Sequence, residues 1–146
     1  MLTLPQTTYE QDFALWVEQT IGLLKAQNYD AVDWANLLEE IDGLTRSDRR
    51  ELENRLITLF EHALKRRYVS LSDCYRGWEV ILLRTQHDIA QILQDSPSLH
   101  NYCLEIIDKC YRKALKFLRK EYDATFPDAI PFPQEIEPLL DEEFWQ

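Results

Sequence analysis

Carboxylates and one histidine are the side chains with chemical potential in the stretch "WANLLEEIDGLTRSDRRELENRLITLFEHALK", residues 34–65, which holds adjacent Glu39 and Glu40 and, farther along, His62. Carboxylate and imidazole suit three tasks: holding a divalent metal, moving a proton, or pairing with a cation. The 100° turn per helical residue separates the candidates. On a helix over 33–42 with the apolar stripe Trp34, Leu37, Leu38 and Ile41, Asp33 and Glu40 share one flank and Glu39 faces outward. The two glutamates therefore do not act as one pair. On a helix over 47–68 with the stripe Leu52, Leu56, Leu59 and Ala63, one flank carries Arg55, Leu59, His62 and Arg66. The expectation is a partly buried ionic network in which Asp33 and Glu40 meet Arg55, His62 or Arg66 where the two helices adjoin. A sharper alternative makes Glu40 and His62 ligands of a divalent metal at that junction, although Arg55 and Arg66 would repel a cation.

Other catalytic patterns are incomplete. No glutamate has a histidine three residues later, and His62, His87 and His100 are too far apart for a His-x-x-x-His pair. Glu39 with Asp42 and Glu105 with Asp108 have the Glu-x-x-Asp spacing of magnesium-dependent helical nucleotide pyrophosphatases, but Glu105 and Asp108 project opposite the core stripe of their helix. Gln86-His87-Asp88 is a weak match to a phosphohydrolase pair, with His87 turned toward solvent. Gly-x-x-x-x-Gly-Lys, Gly-x-Ser-x-Gly and Cys-x-x-Cys are absent, so P-loop, serine hydrolase and zinc-ribbon chemistry have no support. No cofactor is implied.

The elements that must position these residues are helical. Three glycines in 146 residues and apolar spacing of three and four predict an all-α chain, one compact array of about five helices in a single domain, residues 1–146. The helices are expected at 9–27, 33–42, 47–68, 74–94 and 97–122. Thr7 with Glu10 has capping-box spacing, Asp30 or Asp33 can cap the second helix, and Gly43 is placed to end it in a left-handed turn. Ser96 and Pro97 read as N-cap and first helical residue of the fifth helix. The fourth helix carries Trp78, Ile81, Leu82, Thr85, Ile89, Ile92 and Leu93 on one apolar face, and the fifth Cys103, Ile106, Ile107, Cys110, Tyr111, Ala114, Phe117 and Leu118. A Pro-rich acidic segment, 125–146, follows. Its Phe126, Phe132, Leu139, Phe144 and Trp145 favour packing on the bundle over service as a partner-binding peptide.

Charge is segregated. Residues 1–45 carry eight acids and one base, 46–120 ten acids and fifteen bases, and 121–146 eight acids and no Lys or Arg; the whole chain is at −10. Acidic ends around a basic middle disfavour nucleic acid and suit a basic protein partner. The longest purely apolar run, Phe13–Val17, is far short of a membrane span, and the start has no secretory pattern, so a cytoplasmic protein is expected. Cys103 and Cys110, about 10 Å apart along one helix, are beyond disulfide reach, and Cys74 has no obvious partner.

Taken in order, "YEQDFALW", "LLEEIDGL", "LFEHALKRRY", "GWEVILL", "DSPSL" and "YRKAL" resemble domain of unknown function family 29, a bacterial family common in cyanobacteria. The resemblance spans Tyr9 to about Asp141 and implies an all-α cytoplasmic domain without an established biochemical role. Its Glu-Glu pair matches Glu39 and Glu40, its His-x-x-Lys matches His62 and Lys65, and its Trp matches Trp78. Asp42 stands where the family carries glutamate and Gly77 where it carries serine. Thr85-Gln86 replaces a Gln-Arg dipeptide, which removes the natural anchor for a phosphate or carboxylate ligand. The expected role is a non-enzymatic interaction or regulatory module, adaptor or antitoxin-like, with a protein partner. The alternative is a metal- or phosphate-dependent enzyme around Glu40, His62 and Lys65.

Overall fold

The computed structural model describes residues 7–146, and among them every regular element is helical. In order these are α1 (Thr8–Gln11), α2 (Phe13–Lys25), a short 3-10 turn (Tyr29–Ala31), α3 (Trp34–Tyr68), α4 (Ser72–Asp95), α5 (Leu99–Glu121) and α6 (Ile136–Asp141). None is long and apolar enough to cross a membrane. The chain divides into two compact units, Met1–Thr45 and Arg46–Gln146, and α3 contributes to both.

In the first unit Thr7 caps α1 by accepting from the Glu10 N–H at 3.3 Å. The expected helix 9–27 is interrupted at Asp12, whose extended backbone ends α1 and whose carboxylate caps α2 through the Leu15 N–H at 3.0 Å. α2 closes with a Schellman pattern: Asn28 N–H donates to the Leu23 carbonyl and Gln27 N–H to that of Leu24, with Gln27 left-handed at φ 60°. Asp33 caps α3 through the Asn36 N–H at 3.3 Å.

Residues 34–68 form one helix where the spacing predicts two, 33–42 and 47–68. Gly43 does not terminate the first, because its backbone stays out of the positive-φ region. Continuation through a glycine costs about 1 kcal/mol, whereas a break would orphan up to four carbonyls and four N–H groups. The outcome at 97–122 also differs: α5 begins at Leu99, and Ser96 closes α4. The Ser96 and Pro97 carbonyls accept from the Leu99 and His100 N–H groups, forming the turn between the two helices.

The second unit holds the well-packed core. Leu52, Leu56, Leu59, Phe60 and Leu64 of α3 meet Trp78, Leu82 and Ile89 of α4 and Cys103, Ile107, Cys110, Tyr111 and Leu118 of α5. The segment after α5 joins the same core through Phe126, Phe132, Leu139 and Trp145. Polar side chains fasten it: Gln86 Nε2 donates to the Leu139 and Glu142 carbonyls at 3.0 and 2.9 Å, and Tyr111 Oη to that of Pro127 at 2.5 Å. Arg119 holds the Phe126 carbonyl at 3.1 Å and the Asp128 carboxylate at 2.6 Å.

Candidate functional site

The side chains singled out from the sequence fall into two groups. Asp33 and Glu40 belong to the first unit; Arg55, His62, Lys65, Arg66 and Trp78 belong to the second. Glu40, His62, Arg55 and Arg66 each take a partner other than the one expected. Asp33 caps α3 and also accepts from Asn36 Nδ2 at 2.6 Å. Glu40 is half-buried and accepts from the Tyr9 hydroxyl, an interaction that raises the phenol's pKa. Glu39 is exposed.

Within the second unit, Arg55 pairs with Asp88 at 3.1 Å and Glu51 at 3.8 Å. Arg66 Nε donates to Glu79 at 2.7 Å while its guanidinium stacks 4.2 Å above the Tyr75 ring. Lys65 Nζ stands 6.0 Å from the centre of the Trp78 ring. His62 Nδ1 donates to the Thr58 carbonyl at 2.9 Å, which leaves Nε2 without the proton in the neutral ring. Burial pushes the His62 pKa below its ordinary value, and Lys65 adds to this. The neighbouring Glu61 carboxyl is raised, again chiefly by burial. His87, Glu105 and Asp108 are exposed. Among the described residues no group of three or more His, Cys, Asp or Glu side chains is arranged to hold a metal. Cys103 and Cys110 are buried thiols pushed up to about 11 and about 12, and Cys74 is exposed.

The larger departure concerns apolar residues. Trp34, Leu38 and Ile41, read as a buried stripe, are 46%, 62% and 53% exposed, and Leu44 is 67% exposed. On α2, Phe13 and Ile21 are likewise open. Together α2 and the start of α3 form an apolar groove of about 330 Å³, lined by Phe13, Trp16, Val17, Thr20, Ile21 and Leu24 on one side and Leu37, Glu40, Ile41 and Leu44 on the other. Tyr9, Phe13 and Trp16 pack ring on ring at its end, with centroids 4.8–5.9 Å apart. The periodicity that placed Trp34, Leu38 and Ile41 on one face was legible; that they stay largely exposed was not.

The family model for the domain of unknown function DUF29 matches residues 8–145. The chain belongs to the DUF29 family. The match covers nearly the whole DUF29 domain described above, both compact units included. No curated protein and no solved structure matches it. The Glu-Glu and His-x-x-Lys residues of this DUF29 domain are thus divided between its two units, with Glu40 held by Tyr9 and His62 by Thr58.

Proposed function

We propose that this DUF29 domain is a non-enzymatic interaction module, adaptor or antitoxin-like, whose first unit receives a basic amphipathic helix of a partner protein. The observation that carries this is the open groove between α2 and the start of α3. Its α2 wall runs from Phe13 to Leu24, about 16 Å, enough for three turns of a helix laid alongside. Two helices with an open seam gain a core when a third apolar face is added. Glu40 lines the groove, and residues 1–45 carry eight acids against one base, so the complementary helix has Lys or Arg beside its apolar stripe.

The test titrates the purified chain with a synthetic Leu/Lys amphipathic helix, following Trp16 and Trp34 fluorescence and peptide helicity. Saturable binding is expected, weakened at least tenfold by Ile41→Glu or Leu44→Glu, both exposed positions whose change leaves the melting temperature in place. A scrambled peptide of equal charge binding as tightly would sink the proposal. So would a dimer of the chain that dissociates on Leu44→Glu, since a second copy would then be the occupant.

A further inference from the structure

The outer face of α5 carries a second feature, in the second unit and independent of the groove. From Lys109 to Lys120 the sequence reads "KCYRKALKFLRK", six bases and no acid. Lys109 and Lys113 are occupied, both bound to Glu53 at 3.2 and 2.7 Å, and their hydrogen bonds, Lys113's foremost, hold the Glu53 carboxyl below its usual range. Arg112, Lys116 and Lys120 stand at i, i+4 and i+8, an exposed row about 12 Å long. With Leu115, Arg119 and Asp128 they line a cleft of about 670 Å³, within the size range of small-ligand sites.

The cleft is short of carboxylate. Asp128 is its one acid and is taken by Arg119 at 2.6 Å. Arg112 reaches Asp108 at 2.9 Å on the open surface, a pair worth little in water. Lys116 and Lys120 have no carboxylate partner among the described residues. A chain with 26 acids and 16 bases has thus left Lys116 and Lys120 beside two further cations with no carboxylate of their own, against their mutual repulsion.

We propose that this cleft binds an oligophosphate, two or more linked phosphoryl groups, with Lys116 and Lys120 as point charges and Arg112 as the bidentate fork. Each phosphoryl group offers several acceptor oxygens on one centre, so linked groups neutralise three cations within about 12 Å, where carboxylates would need a separate residue for each charge. Arg119 stays with Asp128 and the Phe126 carbonyl. A free polyphosphate and a nucleic-acid backbone share this chemistry.

Calorimetric titration of the full chain at low salt decides it, with tripolyphosphate in one arm and a ten-nucleotide single strand in another. Saturable binding is expected, weakened at least tenfold by the double change Lys116→Ala and Lys120→Ala, whose exposure leaves melting unchanged, and weakened less by Arg112→Lys. If the strand binds at least tenfold tighter than tripolyphosphate and loses about tenfold on a fourfold rise in salt, the source is a nucleic-acid backbone. If tripolyphosphate binds as well as the strand, it is a free oligophosphate. The proposal is overturned if neither probe binds, if the double variant binds equally, or if an oligoglutamate peptide matches tripolyphosphate.

Discussion

Gln27 occupies a left-handed position that the Schellman close of α2 requires and that a side chain with a Cβ resists. Gln27→Gly is expected to raise stability by about 0.5–1 kcal/mol in thermal melts followed by helical circular dichroism. His62 supplies a pH dependence. Its pKa is lowered in the folded chain, so below about 6.5 the unfolded chain takes up a proton that the native ring resists. Stability contributed at this position is present above that value and is lost as pH falls through it. Glu61, whose carboxyl is raised, works in the opposite sense nearer the carboxylate range. The difference between the parent chain and His62→Gln in denaturant melts from pH 7.5 to 5 should therefore show the slope vanish in the variant; an unchanged slope would place its origin elsewhere. Glu40, half-buried on the flank that helical spacing assigned, has a partner in Tyr9 that no spacing rule links to it across 31 residues.

Two elements behave in ways their local sequence leaves open. Gly43 lies inside α3 with ordinary helical backbone, so Gly43→Ala should stabilise by about 1 kcal/mol. Had the glycine closed a helix in the left-handed region, the same change would destabilise, so the sign of the shift in melting temperature is the readout. The segment after α5 depends on Gln86, a buried side chain whose two N–H bonds satisfy carbonyls of Leu139 and Glu142. Gln86→Leu leaves both carbonyls buried or half-buried without their donor and is expected to cost about 2 kcal/mol in urea unfolding. It should also speed proteolysis within residues 135–146. Nothing in the spelling of Gln86-His87-Asp88 separates the buried glutamine from its exposed neighbour except the stripe of α4, on whose edge Gln86 falls.

At the scale of the whole molecule, the largest fully buried side chains, among them Trp145, Tyr111, Phe60, Leu82 and Leu139, all lie in residues 46–146. The first unit buries Trp16, Thr20 and Val32 and leaves many of its other large apolar residues open. A chain of residues 46–146 is therefore expected to remain helical and to unfold in one cooperative step, whereas residues 1–45 alone should show little helix by circular dichroism. A non-cooperative melt for 46–146 would count against an independent core. The apolar groove, with Glu40 in its lining, and the basic cleft around Lys116 lie in different units.

The sequence by itself determined the helical class, the cap at Thr7 and most of the buried faces of α4 and α5. These rest on residues within a turn or two of each other, where the 3.6-residue period is decisive. Ile81 and Phe117, expected on those stripes, depart at 38% and 54% exposed because they fall at the stripe edges. Membership of the DUF29 family was legible in ordered segments from the same strand of text. Only the tertiary structure decided that α3 passes through Gly43, that Arg55 and Arg66 choose Asp88 and Glu79, and that Trp34, Leu38 and Ile41 stay open. A helical wheel gives each side chain a direction about its own axis; which acid lies opposite, or whether anything does, depends on where the neighbouring helix is carried by the packing of the rest of the chain.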